Sequence, residues 1–151
     1  MLVYTRDFRA MTINELDKTI NVLDKAYFEF HMGLLTALIE QIKVQPPFCL
    51  EDSSKEDQDF LLALIALPNI GGSDLLIQGQ QLLCKIVAGY PHLMPLLPRD
   101  LLWFFGGDCL HYMPDEEIRT FQDLDEQRET AKEKNEAFSY EKARLRSMGL
   151  H

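Results

Sequence analysis

The first pattern along the chain is a series of apolar residues spaced alternately three and four positions apart, with charged residues between them. This spacing places the apolar side chains on one face of a helix. Thr12 and Glu15 form a capping-box pattern that predicts the start of this helix. Pro46-Pro47 predicts its end, because proline lacks a backbone donor and restricts the residue before it. The apolar positions are Ile13, Leu16, Ile20, Leu23, Tyr27, Phe30, Leu34 and Ala37.

The rhythm of these positions resembles a heptad repeat, which is typical of helices that pack against a partner helix. More apolar residues, among them Leu35, Leu38 and Ile42, widen the stripe towards the end of the helix. A stripe of this width favours deep burial over a narrow two-stranded seam. The sequence therefore predicts a long N-terminal helix, and its rhythm also makes it a candidate for self-association.

A second helix is predicted at residues 60–67, the longest apolar run in the chain. Ser53 and Glu56 form another capping-box pattern ahead of it, in a stretch rich in the carboxylates that favour helix N-termini. Pro68 predicts its end. Because the run is apolar on every side, we expect this helix to lie at the centre of the fold.

A third helix is predicted after a turn at residues 69–74, with Ser73 or Asp74 as its cap. Gly79 lies inside this helix, where glycine costs about 1 kcal/mol relative to alanine. We therefore expect another helix to cross closely at Gly79.

The remaining helices are predicted from two prolines. Pro98 suits the first position of a short helix that ends at Gly106, and Pro114 begins another helix whose first turn is acidic. Beyond Leu124 the apolar face thins and charges of both signs dominate. We therefore expect residues 125–151 to form a solvated helical tail that projects from the body of the protein.

Composition supports an all-α fold. The chain has 24 Leu against 4 Val and 9 Ile, and Leu favours helices whereas β-branched residues favour strands. A length of 151 residues fits one domain. We predict a single all-α domain, residues 1–151, built as a bundle of five or six helices with a long N-terminal helix.

The charge of the chain bears on its partners. The formal net charge is −9, and no basic patch is visible. Lys142, Arg144 and Arg146 lie close together, but at the end of a helix they complement its dipole. Because nucleic acids and anionic membranes attract clustered basic residues, we expect neither as a partner.

Cysteine usage and the N-terminal residues indicate the compartment. Cys49, Cys84 and Cys109 are an odd number of widely spaced cysteines, which is typical of free thiols in a reducing environment. The first ten residues lack the basic and apolar segments of a signal peptide. The run at residues 60–67 is too short to span a bilayer, so we expect a cytoplasmic protein.

The main candidate for chemistry is the connector at residues 106–117, because functional groups tend to lie on such segments. Cys109 as nucleophile, His111 as its base and Asp108 as the orienting carboxylate would form a catalytic group. In the structural alternative Asp108 caps a turn, Cys109 is buried as a small apolar residue and His111 lies on the surface. No family-specific signature surrounds the cysteine, so no catalytic residue is assigned and we do not expect an enzyme.

Neither a metal nor a cofactor is predicted. Asp108 and His111 have the spacing closest to a metal-ligand motif, but it occurs once and HExxH is absent. The Gly-Gly pairs at 71–72 and 106–107 precede Asp74 and Asp108, whose charges would repel a phosphate. The chain also lacks a nucleotide-binding fingerprint.

The densest apolar cluster includes Trp103, Phe104 and Phe105. Five consecutive apolar residues on one short helix are not expected to face inward together. The cluster is therefore a candidate for a pocket wall or an interface, and the alternative is an ordinary core. The ligand or interface candidates are Trp103, Phe104, Asp108, Cys109, His111 and Tyr112.

Residues 101–118, LLWFFGGDCLHYMPDEEI, resemble a segment of a small gammaproteobacterial protein family of unknown function. Residues 80–84 and 90–93 are similar as well, whereas residues 1–60 are much less so. The resemblance implies a bacterial, cytosolic protein and brings no activity or site residues with it. Some members are labelled dehydrogenases, but that activity would need a dinucleotide fingerprint that this chain lacks.

The function predicted from the sequence is a non-enzymatic interaction or regulatory protein that self-associates. The expected partner is a second copy in a homodimer, or else another protein. The alternative is an enzyme, or a protein that binds a small molecule or a metal, with its site around Asp108, Cys109 and His111.

Overall fold

The computed structural model describes residues 22–149. This part of the chain forms six α-helices and three 3-10 helices and contains no β-strand, so the prediction of an all-α fold is confirmed. None of its helices has the length and apolar character needed to cross a membrane. The α-helices are α1 (Val22–Lys43), α2 (Lys55–Ala66), α3 (Gly72–Gly89), α4 (Arg99–Phe105), α5 (Asp115–Glu133) and α6 (Tyr140–Ser147), and the 3-10 helices are Leu67–Asn69, Pro91–Leu96 and Gly107–Tyr112.

Helix α1 packs its apolar stripe into the core of its own chain. It ends at Lys43, before Pro46-Pro47 as predicted. The start predicted from Thr12 and Glu15 lies outside the described residues. The width of the stripe correctly indicated burial, because its second half lies in the core together with Tyr27. The buried residues of α1 in this core are Tyr27, Leu35, Leu38, Ile39 and Ile42.

The N-cap of helix α2 lies one residue later in the chain than predicted. Ser54, not Ser53, is the N-cap, and its hydroxyl accepts a hydrogen bond of 3.1 Å from the backbone N–H of Asp57. Both serines have an acidic residue three positions on, so the sequence pattern alone did not distinguish them.

The central position predicted for α2 is wrong. Phe60 and Leu64 are buried, but Leu62 is 63% exposed and Ile65 is 37% exposed. Helix α2 lies at the edge of the bundle, where neighbours cover only one of its sides. Its apolar residues on the other side therefore face outward.

The central element is instead the short helix α4. It contacts α1, α3 and α5, so neighbours surround it. The expectation that part of its apolar cluster faces outward is therefore wrong. The five consecutive apolar residues are all buried, and they are Leu101, Leu102, Trp103, Phe104 and Phe105.

The predicted close crossing at Gly79 is confirmed. A Cβ atom at this position would overlap the ring of Phe105 in α4, and Phe105 is itself buried. The absence of a side chain at Gly79 therefore allows α4 to approach α3.

The projecting tail predicted for residues 125–151 is not observed in its described part. Helix α6 packs on α1 and α5. Polar side chains of α5 are buried because they find charged and hydrogen-bonding partners inside the fold. The buried residues of this segment are Asp125, Arg128, Ala131, Tyr140 and Ala143.

Gly79→Ala should lower the free energy of unfolding by about 1–3 kcal/mol, because an added methyl group overpacks the contact with Phe105. Gly33→Ala is the matched control. No heavy atom lies within 4 Å of a Cβ built at Gly33, so helix propensity should raise stability there by about 0.5–1 kcal/mol. Urea unfolding followed by circular dichroism measures both changes. Equal stabilisation by the two substitutions would contradict the close crossing.

Candidate functional site

The predicted candidates Asp108, Cys109 and His111 lie in the 3-10 helix Gly107–Tyr112. Oδ1 of Asp108 lies 3.9 Å from Nε2 of His111, but the Cys109 thiol is not part of this pair. Cys109 is buried, and its Sγ lies 3.8 Å from the carbonyl oxygen of Gln80 in α3. The side chains of Asp108 and His111 are 87% and 79% exposed. The burial of Cys109 and the exposure of His111 match the structural alternative rather than a nucleophile with its base. No described side chain caps the start of this 3-10 helix, however, so the capping role expected of Asp108 is not observed. Within residues 22–149 no group of His, Cys, Asp and Glu is arranged to hold a metal.

Tyr112 lies at the end of the same 3-10 helix and is partly exposed. The Cys84 thiol of α3, through its charge when ionised and a hydrogen bond, raises the pKa of Tyr112. The backbone carbonyl of Tyr112 accepts a hydrogen bond of 2.6 Å from Nη2 of Arg99. Tyr112 therefore links α3 to the beginning of α4.

Trp103 and Phe104 face the interior and contact polar groups there. The indole Nε1 of Trp103 donates a hydrogen bond of 3.0 Å to Oδ2 of Asp125. The ring of Phe104 stacks on the imidazole of His31, with centroids 4.8 Å apart and planes inclined by 14°. The aromatic cluster is thus one wall of a buried polar site.

Five ionisable side chains are buried among α1, α4 and α5, and the sequence-based interpretation did not identify them as a group. Each sits on a helix that otherwise presents apolar residues to the core. Their burial is unusual, because charged side chains are rarely removed from water unless they are paired. We call them the buried polar cluster: Asp24, His31, Asp100, Asp125 and Arg128.

Arg128 makes the longest-range connections in this cluster. Its Nη1 donates to Oδ1 of Asp24 in α1, and its Nη2 lies 3.6 Å from Oδ1 of Asp125. Its guanidinium also lies over the ring of Tyr27, 4.1 Å from the centroid. Lys132 donates to the second oxygen of Asp24 at 2.9 Å. The carboxylate of Asp24 is therefore held by two cations of α5.

Asp100 joins α4 to α6. Its two carboxylate oxygens accept hydrogen bonds from Nε and Nη2 of Arg144, at 2.5 and 2.8 Å. Bidentate pairs of this kind fix the plane of the guanidinium. The Asp100 side chain is buried, whereas that of Arg144 is partly exposed, so the pair connects the interior to the surface.

His31 is enclosed by aromatic rings, those of Tyr27, Phe30, Phe104 and Tyr140. Burial lowers the pKa of His31 to about 4, so the imidazole is neutral at pH 7. Its Nδ1 lies 2.7 Å from the Tyr27 carbonyl oxygen. Because a carbonyl only accepts, the proton belongs on Nδ1 and Nε2 is left as an acceptor.

Asp125 and Tyr140 complete the interior of this region. Burial raises the pKa of Asp125 to about 6, against the opposing effect of Arg128. Burial also raises the pKa of Tyr140. Among the described residues the Tyr140 hydroxyl and Nε2 of His31 have no hydrogen-bond partner. The interior thus holds polar atoms whose hydrogen-bonding capacity is not used up.

A signal for these residues exists in the sequence. The buried face of α5 runs through Phe121, Leu124, Asp125, Arg128 and Ala131, and these positions keep helical spacing. The stripe therefore continues past Leu124 with polar residues in place of apolar ones. In α1, His31 follows Tyr27 by one turn on the same buried face.

The buried polar cluster is suited to holding helices together rather than to turning over a substrate. Its five side chains are buried, and Asp100 also borders a cleft at the surface. The cluster is connected outward by Arg144, through the pair with Asp100, and by Lys132, through the pair with Asp24.

His31 and Asp125 should give opposite contributions to stability in acid. The folded pKa of His31, about 4, lies below its ordinary 6.5, so the unfolded chain binds the proton first and acid destabilises the fold in that window. The folded pKa of Asp125, about 6, lies above its ordinary 3.8, so the folded chain binds the proton first and acid stabilises the fold. Each group changes the free energy of unfolding by about 1.4 kcal/mol per pH unit between its folded and its unfolded pKa.

Asp125→Asn should therefore lose stability more steeply than the unmodified protein as the pH falls from about 6 to about 4. His31→Phe, whose ring fits among the same aromatic neighbours, should lose it less steeply. Urea unfolding at several pH values measures the two slopes. Parallel pH dependences in all three proteins would show that neither group titrates as described.

Comparison with known proteins gives one family. The model of the PA2817-like family matches residues 23–151, which extends well beyond the C-terminal half that carried the resemblance. The family's description names no activity. Neither curated proteins nor solved structures gave a significant match. Because the match covers most of the chain, including the buried polar cluster, the protein belongs to the PA2817-like family.

Proposed function

We propose that this protein is a non-enzymatic interaction protein that self-associates as a homodimer through the outer face of α2. The observation that carries the proposal is the exposure of Leu62 and Ile65, 63% and 37%, on the side of α2 that faces away from the core. Large apolar residues grouped on an exposed helix face are typical of protein contacts.

The charge distribution around this face favours a second copy. Residues 60–73 contain no Asp, Glu, Lys or Arg, although the chain as a whole carries −9. A twofold contact brings the same patch together with itself, and an uncharged apolar patch is self-complementary. Like charges elsewhere on the surface would oppose most other symmetric contacts.

The geometry of a twofold axis also separates the acidic ends of α2. Glu56, Asp57 and Asp59 lie in the first half of the helix. When two copies of α2 cross antiparallel about a twofold axis, each acidic end lies beyond the uncharged end of the other. Repulsion between the carboxylates is thereby reduced, since it falls with distance and is screened by salt.

Neither the heptad pattern nor the aromatic cluster supports self-association in the described part of the chain. Of the described heptad positions, Tyr27 is buried in the chain's own core and Phe30 and Leu34 pack partly against it. Ala37 is a small exposed residue, and residues 13–21 lie outside the described part. Trp103 and Phe104 are buried and do not form an exposed surface. The proposal therefore rests on α2.

The cellular setting is part of the same proposal. Cys49, Cys84 and Cys109 are free thiols, which are typical of a reducing compartment. The resemblance of residues 101–118 supports a bacterial origin. We therefore place the protein in the bacterial cytoplasm.

Leu62→Glu should raise the dimer dissociation constant by about a hundredfold or more, because a carboxylate would be buried in the contact without a partner. Leu145→Glu is the matched control, since Leu145 is also exposed but lies in α6 and the change adds the same charge. Sedimentation velocity at tens of micromolar measures the masses. An unmodified protein that is monomeric there, or an equal effect of Leu145→Glu, would refute the proposal.

A further inference from the structure

A cleft opens where the 3-10 helix Pro91–Leu96 meets the start of α4 and one side each of α5 and α6. Its volume is about 540 Å³, which lies within the range of about 300–1,000 Å³ typical of small-molecule sites. None of its lining residues belongs to α2. It is therefore independent of the surface proposed for dimerisation.

Half of the twelve residues that line the cleft are apolar. Met94 and Met148 lie among these residues, and the unbranched thioether side chain adapts its shape to different apolar groups. Phe121 adds a flat ring that is anchored in the core by stacking with Trp103, at a centroid distance of 6.0 Å. The apolar lining residues are Met94, Pro95, Leu97, Pro98, Phe121 and Met148.

Two guanidinium groups line the same cleft and are held in place from behind. Arg144 is fixed by the bidentate pair with Asp100, through its Nε and Nη2. Arg99 donates from Nε to Glu117 at 2.9 Å and from Nη2 to the Tyr112 carbonyl at 2.6 Å. In the described part of the chain no hydrogen bond engages the Nη1 group of either arginine, so each keeps donors for a ligand.

We propose that this cleft binds a small organic acid in which one carboxylate is carried on an apolar chain. The carboxylate matches the planar donors of Arg99 and Arg144, and the chain matches the methionine, leucine and phenylalanine side of the cleft. The site follows the usual composition of ligand pockets, an apolar wall with a few fixed polar groups.

The balance of donors and acceptors selects an anion over a cation. Both oxygens of Asp100 accept from Arg144, and Oε1 of Glu117 accepts from Arg99. Three of the four carboxylate oxygens are thus engaged, whereas both arginines retain unused N–H groups. Among the described residues of the cleft a cation would find one unengaged oxygen, Oε2 of Glu117, but an anion can approach the Nη1 edges of two guanidinium groups.

The apolar wall selects an organic acid over an inorganic anion. Phosphate or acetate would satisfy the arginines but leave the surface of Met94 and Met148 in contact with water. Burial of an alkyl chain adds about 0.8 kcal/mol for each CH₂ group. Affinity should therefore rise from acetate to decanoate, and it should fall when the carboxylate is replaced by a neutral hydroxyl.

Isothermal titration calorimetry of the full chain with decanoate tests the site, with decan-1-ol and acetate as the matched probes. We expect saturable binding of one decanoate per chain and much weaker binding of both other probes. Arg99→Gln should weaken decanoate binding about tenfold or more, because it removes a charged hydrogen bond. Thr120→Phe, which fills the cleft without changing its charge, should weaken it as well.

Arg146→Gln is the control for charge, since Arg146 lies in α6 but does not line this cleft. It should leave decanoate binding unchanged. Circular dichroism shows whether each variant is folded. If either Arg99→Gln or Thr120→Phe fails to fold, the other variant still tests the site. The proposal is overturned if decanoate does not bind, if decan-1-ol binds as tightly, or if Arg99→Gln and Arg146→Gln have equal effects.

Discussion

Arg128 is a cation held away from water between the two longest described helices, α1 with 22 residues and α5 with 19. Its pair with Asp24 joins the two helices, and its pair with Asp125 lies within α5. A shift of α1 against α5 by one turn would separate the buried charges of Asp24 and Arg128, so this contact determines how the two helices are aligned. Removal of one partner from such a pair costs about 3–5 kcal/mol, whereas replacement of the whole group by apolar residues is often neutral. The contribution of Arg128 is therefore mainly to select this arrangement of helices over others.

The other features of the interior depend on that alignment. With α1 and α5 in register, His31 stacks on Phe104 and Asp125 receives the indole of Trp103. Helix α4 is thereby held between α1 and α5, and the ring of its residue Phe105 packs against Gly79 of α3. The hydrogen-bonded pair of Asp100 with Arg144 then connects α4 in the interior to the cleft at the surface.

Local rules predicted the helices, but they did not predict how the helices are placed. Proline signals such as Pro46-Pro47 and Pro114 act within a few residues, so the sequence was enough. Gly79 was the one local signal that also indicated a contact between helices. The hydrophobicity of a side chain indicates that it favours burial. It does not indicate whether neighbouring helices are placed to cover it. For this reason α2 was expected at the centre and is peripheral, while α4 was expected to be partly exposed and is central.

The candidate site was less predictable, for two physical reasons. A 3-10 helix turns by about 120° per residue, so Cys109 and His111, two residues apart, point in different directions despite their proximity in sequence. The true polar contacts join residues that are distant in the chain, such as Asp24 and Arg128, which are 104 positions apart. Helical spacing could have shown that polar residues share the buried stripe, but not which partners they meet.

Trp103 is the only tryptophan of the chain, and its surroundings make its fluorescence specific to one place. Its indole is hydrogen-bonded to Asp125 and stacked on Phe121, so emission reports on the contact between α4 and α5. Because the pKa of Asp125 is raised to about 6, we expect the same emission to respond to protonation of that carboxyl group. The protein thus carries an intrinsic optical reporter of its own interior, and no label needs to be attached to follow it.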